Sequence, residues 1–80
     1  MVVALTDRLK AAFADAPPHV QKALLKQLLL LASDLHHPDL HTKVYDESRG
    51  RWQVNINHHW RLYFTIMDDT YRIDHLMPKP

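Results

Sequence analysis

The chain has no cysteine, a single glycine, no unbroken apolar run longer than five residues, and almost no excess of either charge. Each absence excludes something. Without thiols there is no disulfide framework, no thiolate zinc site and no cysteine nucleophile, which suits a reducing compartment. A run of five residues falls far short of the ~20 needed to span a bilayer. The opening MVVALTDRLK also lacks the basic start and long apolar core of a secretory signal, so a cytoplasmic protein with no membrane partner is expected. One glycine and 24% charged residues exclude a low-complexity or disordered chain. At 80 residues the chain buries only about 60 to 65% of its unfolded surface, which allows one core and a single domain over 1–80. Ten Lys and Arg against nine Asp and Glu leave a net charge of +1. That is below the basic excess of a protein that grips nucleic acid by general attraction.

What is present is organised by periodicity. Residues 1–5 are apolar and β-branched enough for an edge strand, and Thr6 before Asp7 is a helix N-cap. Leu9, Ala12, Phe13 and Ala16 recur at helical spacing until Pro17-Pro18 stops the helix, and Pro18 equally starts the next one. From His19 to Ser33 the stripe Val20, Ala23, Leu24, Gln27, Leu28 and Leu31 defines a second helix. Leu25, Leu29, Leu30 and Ala32 widen its apolar surface beyond an ordinary amphipathic face, so it packs on two sides or meets a partner.

After the turn-rich SDLHHPDLHT come strands. Lys43 to Asp46 is short, and the turn that follows holds Gly50, for which a positive φ is expected. Trp52 to Asn57 and Trp60 to Met67 alternate, with Trp52, Val54, Ile56, Trp60, Leu62, Phe64 and Ile66 on one face. Gln53, Asn55, Asn57, Arg61, Tyr63 and Thr65 take the other. Asp68-Asp69 makes a hairpin to a last strand, Tyr71 to Met77, and Pro78-Lys79-Pro80 ends the chain. The expected fold is α+β: a helical hairpin packed on one face of a small twisted antiparallel sheet, in the order β-α-α-β-β-β with a short first strand. His36, His37 and His41 share a loop, but adjacent imidazoles in a loop point apart and only Asp34 or Asp39 stands by to complete a set. No metal site and no cofactor are expected.

The stretch HPDLHTKVYDESRGRWQVNINHHWRLYFTIMDDTYRIDHLMPKP resembles the C-terminal half of small toxins of the RelE/ParE superfamily from bacterial type II toxin-antitoxin modules. The resemblance is carried by the order of His37-Pro38-Asp39-Leu40, Lys43, Trp52, the Asn57-x-x-Trp60-Arg61-x-x-Phe64 strand, the acidic hairpin Asp68-Asp69 and the proline-containing tail. With the helical hairpin before it, the similarity covers nearly the whole chain.

In its RelE-like branch the resemblance implies a metal-independent endoribonuclease, an mRNA interferase that inhibits translation by cutting messenger RNA in the ribosome. The ribose 2′-OH attacks the adjacent phosphate, a reaction that needs a base, an acid and cations for the developing charge. Arg61 is implied as the phosphate clamp. His58, His59, His75 and Lys79 are candidates for proton transfer, and Lys43, Arg51, Gln53, Asn55, Asn57 and Tyr63 for substrate binding. A cognate antitoxin is the implied partner, with ribosome and mRNA if the protein is a nuclease. Gln53 and Asn55 stand where RelE-like toxins tend to carry Lys or Arg. The alternative is therefore a binding member of the same fold, a poison of DNA gyrase like ParE or a non-toxic relative. Charge is distributed to match: residues 1–40 balance at four against four, whereas Lys43 to Arg61 holds four cations against two carboxylates.

Overall fold

The computed structural model describes residues 2–79. Strand β1 (Val2–Leu5) leads into α1 (Asp7–Asp15) and α2 (Pro18–Ser33), followed by β2 (Lys43–Asp46), β3 (Arg51–Asn55), β4 (Trp60–Met67) and β5 (Thr70–Pro78). Short 3-10 turns occupy Pro38–Leu40 and Glu47–Arg49. The expected helical hairpin on a small sheet is what is found, and all four strands read after the helices form, one more than the order β-α-α-β-β-β counts. The sheet is not purely antiparallel as expected: β1 runs parallel to β5, so the five-stranded sheet, ordered β1-β5-β4-β3-β2, is mixed. Met1 and Pro80, expected to open the first strand and close the tail, lie outside the described residues.

Local chemistry sets the joints. The Thr6 hydroxyl oxygen accepts from Leu9 N at 3.1 Å, capping α1, and donates to Ile73 O at 2.9 Å. One side chain thus ties a helix start to the last strand. Gly50 sits at φ 63°, and a Cβ there would stand 3.2 Å from the Ile66 carbonyl oxygen. Both its handedness and the close approach of β4 call for glycine. Asp68 takes the left-handed turn position of the β4–β5 hairpin at φ 54°, which a short polar side chain tolerates.

The core lies between the helices and the inner sheet face. Leu9, Val20, Leu24 and Leu31 from the helices meet Val54, Leu62, Phe64, Ile73 and Leu76 from the sheet, all nearly inaccessible. Trp52, Trp60 and Ile66 pack at its margin as the alternation requires. The extra apolar width of α2 is real and uncovered: Leu25 is 54% and Leu29 75% exposed. Gln27 is the buried polar member of the stripe. Its amide donates to Asn55 O at 2.9 Å and Asp39 O at 3.2 Å, stapling α2 to the sheet and to the Pro38–Leu40 turn. No helix among the described residues is long and apolar enough to cross a membrane.

Candidate functional site

The outer face of the sheet, away from the helices, is a grid of polar side chains whose rows follow from strand register. Lys43, Gln53, Tyr63 and His75 are successive cross-strand partners. On one side lies the row Asn55, Arg61, Met77, and on the other the row Asp46, Arg51, Thr65, Arg72. A concavity of about 570 Å³ opens over this grid, lined by Arg8, Tyr45, Arg51, Tyr63, Arg72, Asp74 and His75 among others.

A register shift in β5 makes the concavity possible. Phe64 pairs with Ile73 and Tyr63 with His75, which leaves Asp74 as an extra residue on β5. Strict alternation from the buried Ile73 would turn His75 into the core. The bulge instead re-aims it, so that Asp74 and His75 both face outward before Leu76 turns in again. The Asp74 carboxylate accepts from Thr65 Oγ1 at 2.6 Å and from Arg72 Nε at 2.7 Å. Burial, and after it the Arg8 guanidinium, hold the His75 imidazole below its ordinary pKa, and its Nδ1 is buried without a hydrogen-bond partner. Tyr63 packs edge-on against Tyr45, ring centroids 5.3 Å apart, at the rim, where Tyr45 is 58% exposed.

Of the residues expected from sequence, Arg51, Tyr63 and His75 are brought together in this concavity. Lys43 and Gln53 continue the Tyr63–His75 row toward the sheet edge. Arg61 lies on the same face, one row nearer the β3–β4 turn, opposite Asn55 and Met77, and its Nε is buried without a partner. His58 and His59 sit exposed in that turn. Asn57 shapes the turn: its Oδ1 accepts from His59 N at 2.8 Å and Trp60 N at 3.0 Å. It does not extend the alternation of β3, which ends at Asn55. Lys79 N donates to His59 O at 2.8 Å, so the tail is laced to the same turn. The two ends of the face are therefore distinct, with Arg61, His58, His59 and Lys79 at the turn and His75, Tyr63 and Arg51 in the concavity.

Sequence reasoning missed Arg8, Tyr45, Arg72 and Asp74. Arg8 had a signal of its own, a cation in the first turn of a helix, where the macrodipole disfavours one. Arg72 and Asp74 are two apart on a strand and hence neighbours on one face. Among the described residues no three His, Asp or Glu converge in a geometry that would hold a metal ion.

No protein-family model and no curated protein sequence matches the chain. Solved structures do. A YoeB/ParE toxin from Agrobacterium tumefaciens superposes with a TM-score of 0.82 over 100% of both chains at 7% identity. A chain of the archaeal RelE-RelB complex from Pyrococcus horikoshii gives 0.81 over 96% of this chain and 92% of that one at 12% identity. A toxin-antitoxin complex from Mycobacterium tuberculosis gives 0.77 at 18% identity, covering 98% and 96%. The chain thus has the RelE/ParE-type toxin fold, and the resemblance drawn from its sequence holds at the level of architecture.

Proposed function

We propose that this protein is the toxin of a type II toxin-antitoxin pair and that its outer sheet face cleaves messenger RNA, with ribosome-bound message as substrate. The observation that carries the reading is the concavity in which a desolvated histidine faces three arginines on a toxin fold. An imidazole held below its ordinary pKa is neutral at pH 7 and can accept a proton. In the proposed step His75 takes the proton of the ribose 2′-OH as that oxygen bonds to the adjacent phosphorus. The bond from phosphorus to the 5′ oxygen breaks, leaving a 2′,3′-cyclic phosphate and a 5′-hydroxyl. Guanidinium forks suit the phosphorane charge, since they are planar, permanently charged and often bidentate. Arg61 at the turn end is the clamp, and Lys79, His58 and His59 beside it are the candidates to protonate the leaving oxygen.

The mild charge of the chain fits a substrate delivered by the ribosome better than free RNA gripped unaided. A cognate antitoxin is the proposed partner, as in the toxin-antitoxin complexes that share this fold. Its apolar contact is the groove of Leu5, Leu9, Phe13, Leu24, Leu25 and Leu28 between the helices.

The test is induced expression in a bacterial host of wild type and Arg61→Ala, with transcript 5′ ends mapped. Growth arrest with new 5′ ends in translated messages, lost in the variant, is expected. Growth arrest with intact transcripts would overturn the nuclease reading in favour of a gyrase poison, and unimpaired growth would overturn toxicity itself.

A further inference from the structure

The bulge in β5 assembles something the cleavage step does not use. Arg72 Nε donates to Asp74 Oδ1 at 2.7 Å and Arg72 Nη2 to Thr65 Oγ1 at 3.3 Å, while the Thr65 hydroxyl donates to Asp74 Oδ2 at 2.6 Å. The three side chains close a ring. Thr65 is 5% exposed, so the ring is braced from beneath. With Nη1 also against Met67 Sδ at 3.6 Å, three of the five donors of the guanidinium are engaged, and the remaining two belong to a fork held at three points. Arg8 and Arg51 line the same concavity, and neither has an ion pair or side-chain hydrogen bond among the described residues. Three cations against the single Asp74 carboxylate leave a local excess of two.

This cluster is separate from Arg61. The Arg51–Thr65–Arg72 row and the Asn55–Arg61–Met77 row are four residues apart along β4, about 13 Å at ~3.3 Å per residue. The Tyr63–His75 row lies between them. A strand of RNA that runs along β4 past His75, with one phosphate at Arg61, carries its neighbouring phosphates over the other cluster.

We propose that Arg8, Arg51 and Arg72 form a second anion station, taking a backbone phosphodiester of single-stranded RNA on the far side of His75 from Arg61. Asp74 and Thr65 are its positioning residues, fixing the Arg72 fork. The inference rests on the RNA reading above and adds the track of the strand. Asp74 gives it a sign that separates positioning from simple charge. As a bare carboxylate beside a phosphate it would repel RNA, and its removal would tighten binding. As the brace of Arg72 its removal weakens binding, and only while Arg72 is present.

The experiment measures binding of a fluorescein-labelled single-stranded RNA octanucleotide to the full chain by anisotropy across a potassium chloride series, with thermal melting of every variant. Arg51→Gln and Arg72→Gln are each expected to weaken binding roughly tenfold, as loss of a charged hydrogen bond does. Each should also reduce the slope of log affinity against log salt by about 0.7, the value for one phosphate contact on a single strand. Asp74→Asn and the charge-neutral Thr65→Val should each weaken binding about threefold in wild type and not at all in the Arg72→Gln background. If one of these two melts below the assay temperature, the other carries the test. Wild-type affinity and slope in Arg51→Gln and Arg72→Gln, with loss in Arg61→Gln, would overturn the second station and leave the RNA reading standing. Tighter binding by Asp74→Asn in both backgrounds would overturn the positioning role. No salt-dependent binding of the octanucleotide by wild type would overturn the station, while the ribosome-delivered RNA reading stands or falls on the transcript mapping above.

Discussion

Strands β4 and β5 carry opposite chemistries on their two faces. Inward, Leu62, Phe64, Ile73 and Leu76 are at most 2% exposed and meet both helices. Outward, Thr65, Arg72, Asp74 and His75 form hydrogen bonds, an ion pair and the wall of a concavity. The inner set alternates with period two except across the bulge, and the bulge adds His75 to an outer set that otherwise follows the same alternation. One irregularity lets a two-layer domain keep a dry core while placing two consecutive polar residues, Asp74 and His75, on its exposed side. The core and the proposed site thereby lie on different faces, and substitutions should separate stability from the proposed activity.

The largest expected effect is on the inner face. Phe64→Ala removes a fully buried ring that stacks with Trp52 and meets Tyr71 edge-on. It should cost about 3–5 kcal/mol, a large fraction of the ~5–15 kcal/mol that holds a domain together. Calorimetry is expected to show a melting point lower by more than about 12 °C. Gln27→Ala is next. It strips the Asn55 and Asp39 carbonyls of a buried donor, at a cost of about 1–3 kcal/mol. A lower urea midpoint with an unchanged slope is the expected observation.

A pH effect is smaller and belongs to the outer face. The folded state holds His75 below its ordinary pKa, chiefly by burial, so between that lowered value and about 6.5 the unfolded chain binds more protons. Stability should therefore fall as pH drops from about 6.5 through the lowered value. His75→Gln should flatten that slope in urea titrations run at several pH values. The smallest effect is expected for Arg51→Gln, which has no ion pair to lose among the described residues. It should melt within about 0.5 kcal/mol of wild type. A melting loss in Arg51→Gln comparable to that of Phe64→Ala would break the division between the faces.

Much of the inner face was legible in the sequence because it rests on local period. Leu62 and Phe64 alternate, Pro17-Pro18 punctuates the helices, and Gly50 marks a turn of required handedness. The outer face was legible where it shares that period, at Gln53, Asn55, Arg61, Tyr63 and Thr65, while Arg51 and His75 were named as candidates without their face being read. Asp74 and His75 were not separable from an ordinary strand, because a bulge is a property of two strands in register and β5 shows it only against β4. Arg8 and Tyr45 reach the concavity from a helix and an edge strand distant in sequence. The parallel pairing of β1 with β5 joins Val2 to Thr70, a partnership no local pattern encodes.

The central claim is that the outer face cleaves RNA by attack of the 2′-OH, with His75 as base. The most direct measurement adds purified wild type and His75→Gln to a translating extract with a defined message and determines the chemistry of the new termini. Wild type should yield 2′,3′-cyclic phosphate and 5′-hydroxyl ends, and His75→Gln should form them at least about 100-fold more slowly while melting like wild type. Wild-type cleavage leaving 5′-phosphate ends, or equal rates in the two proteins, would contradict it.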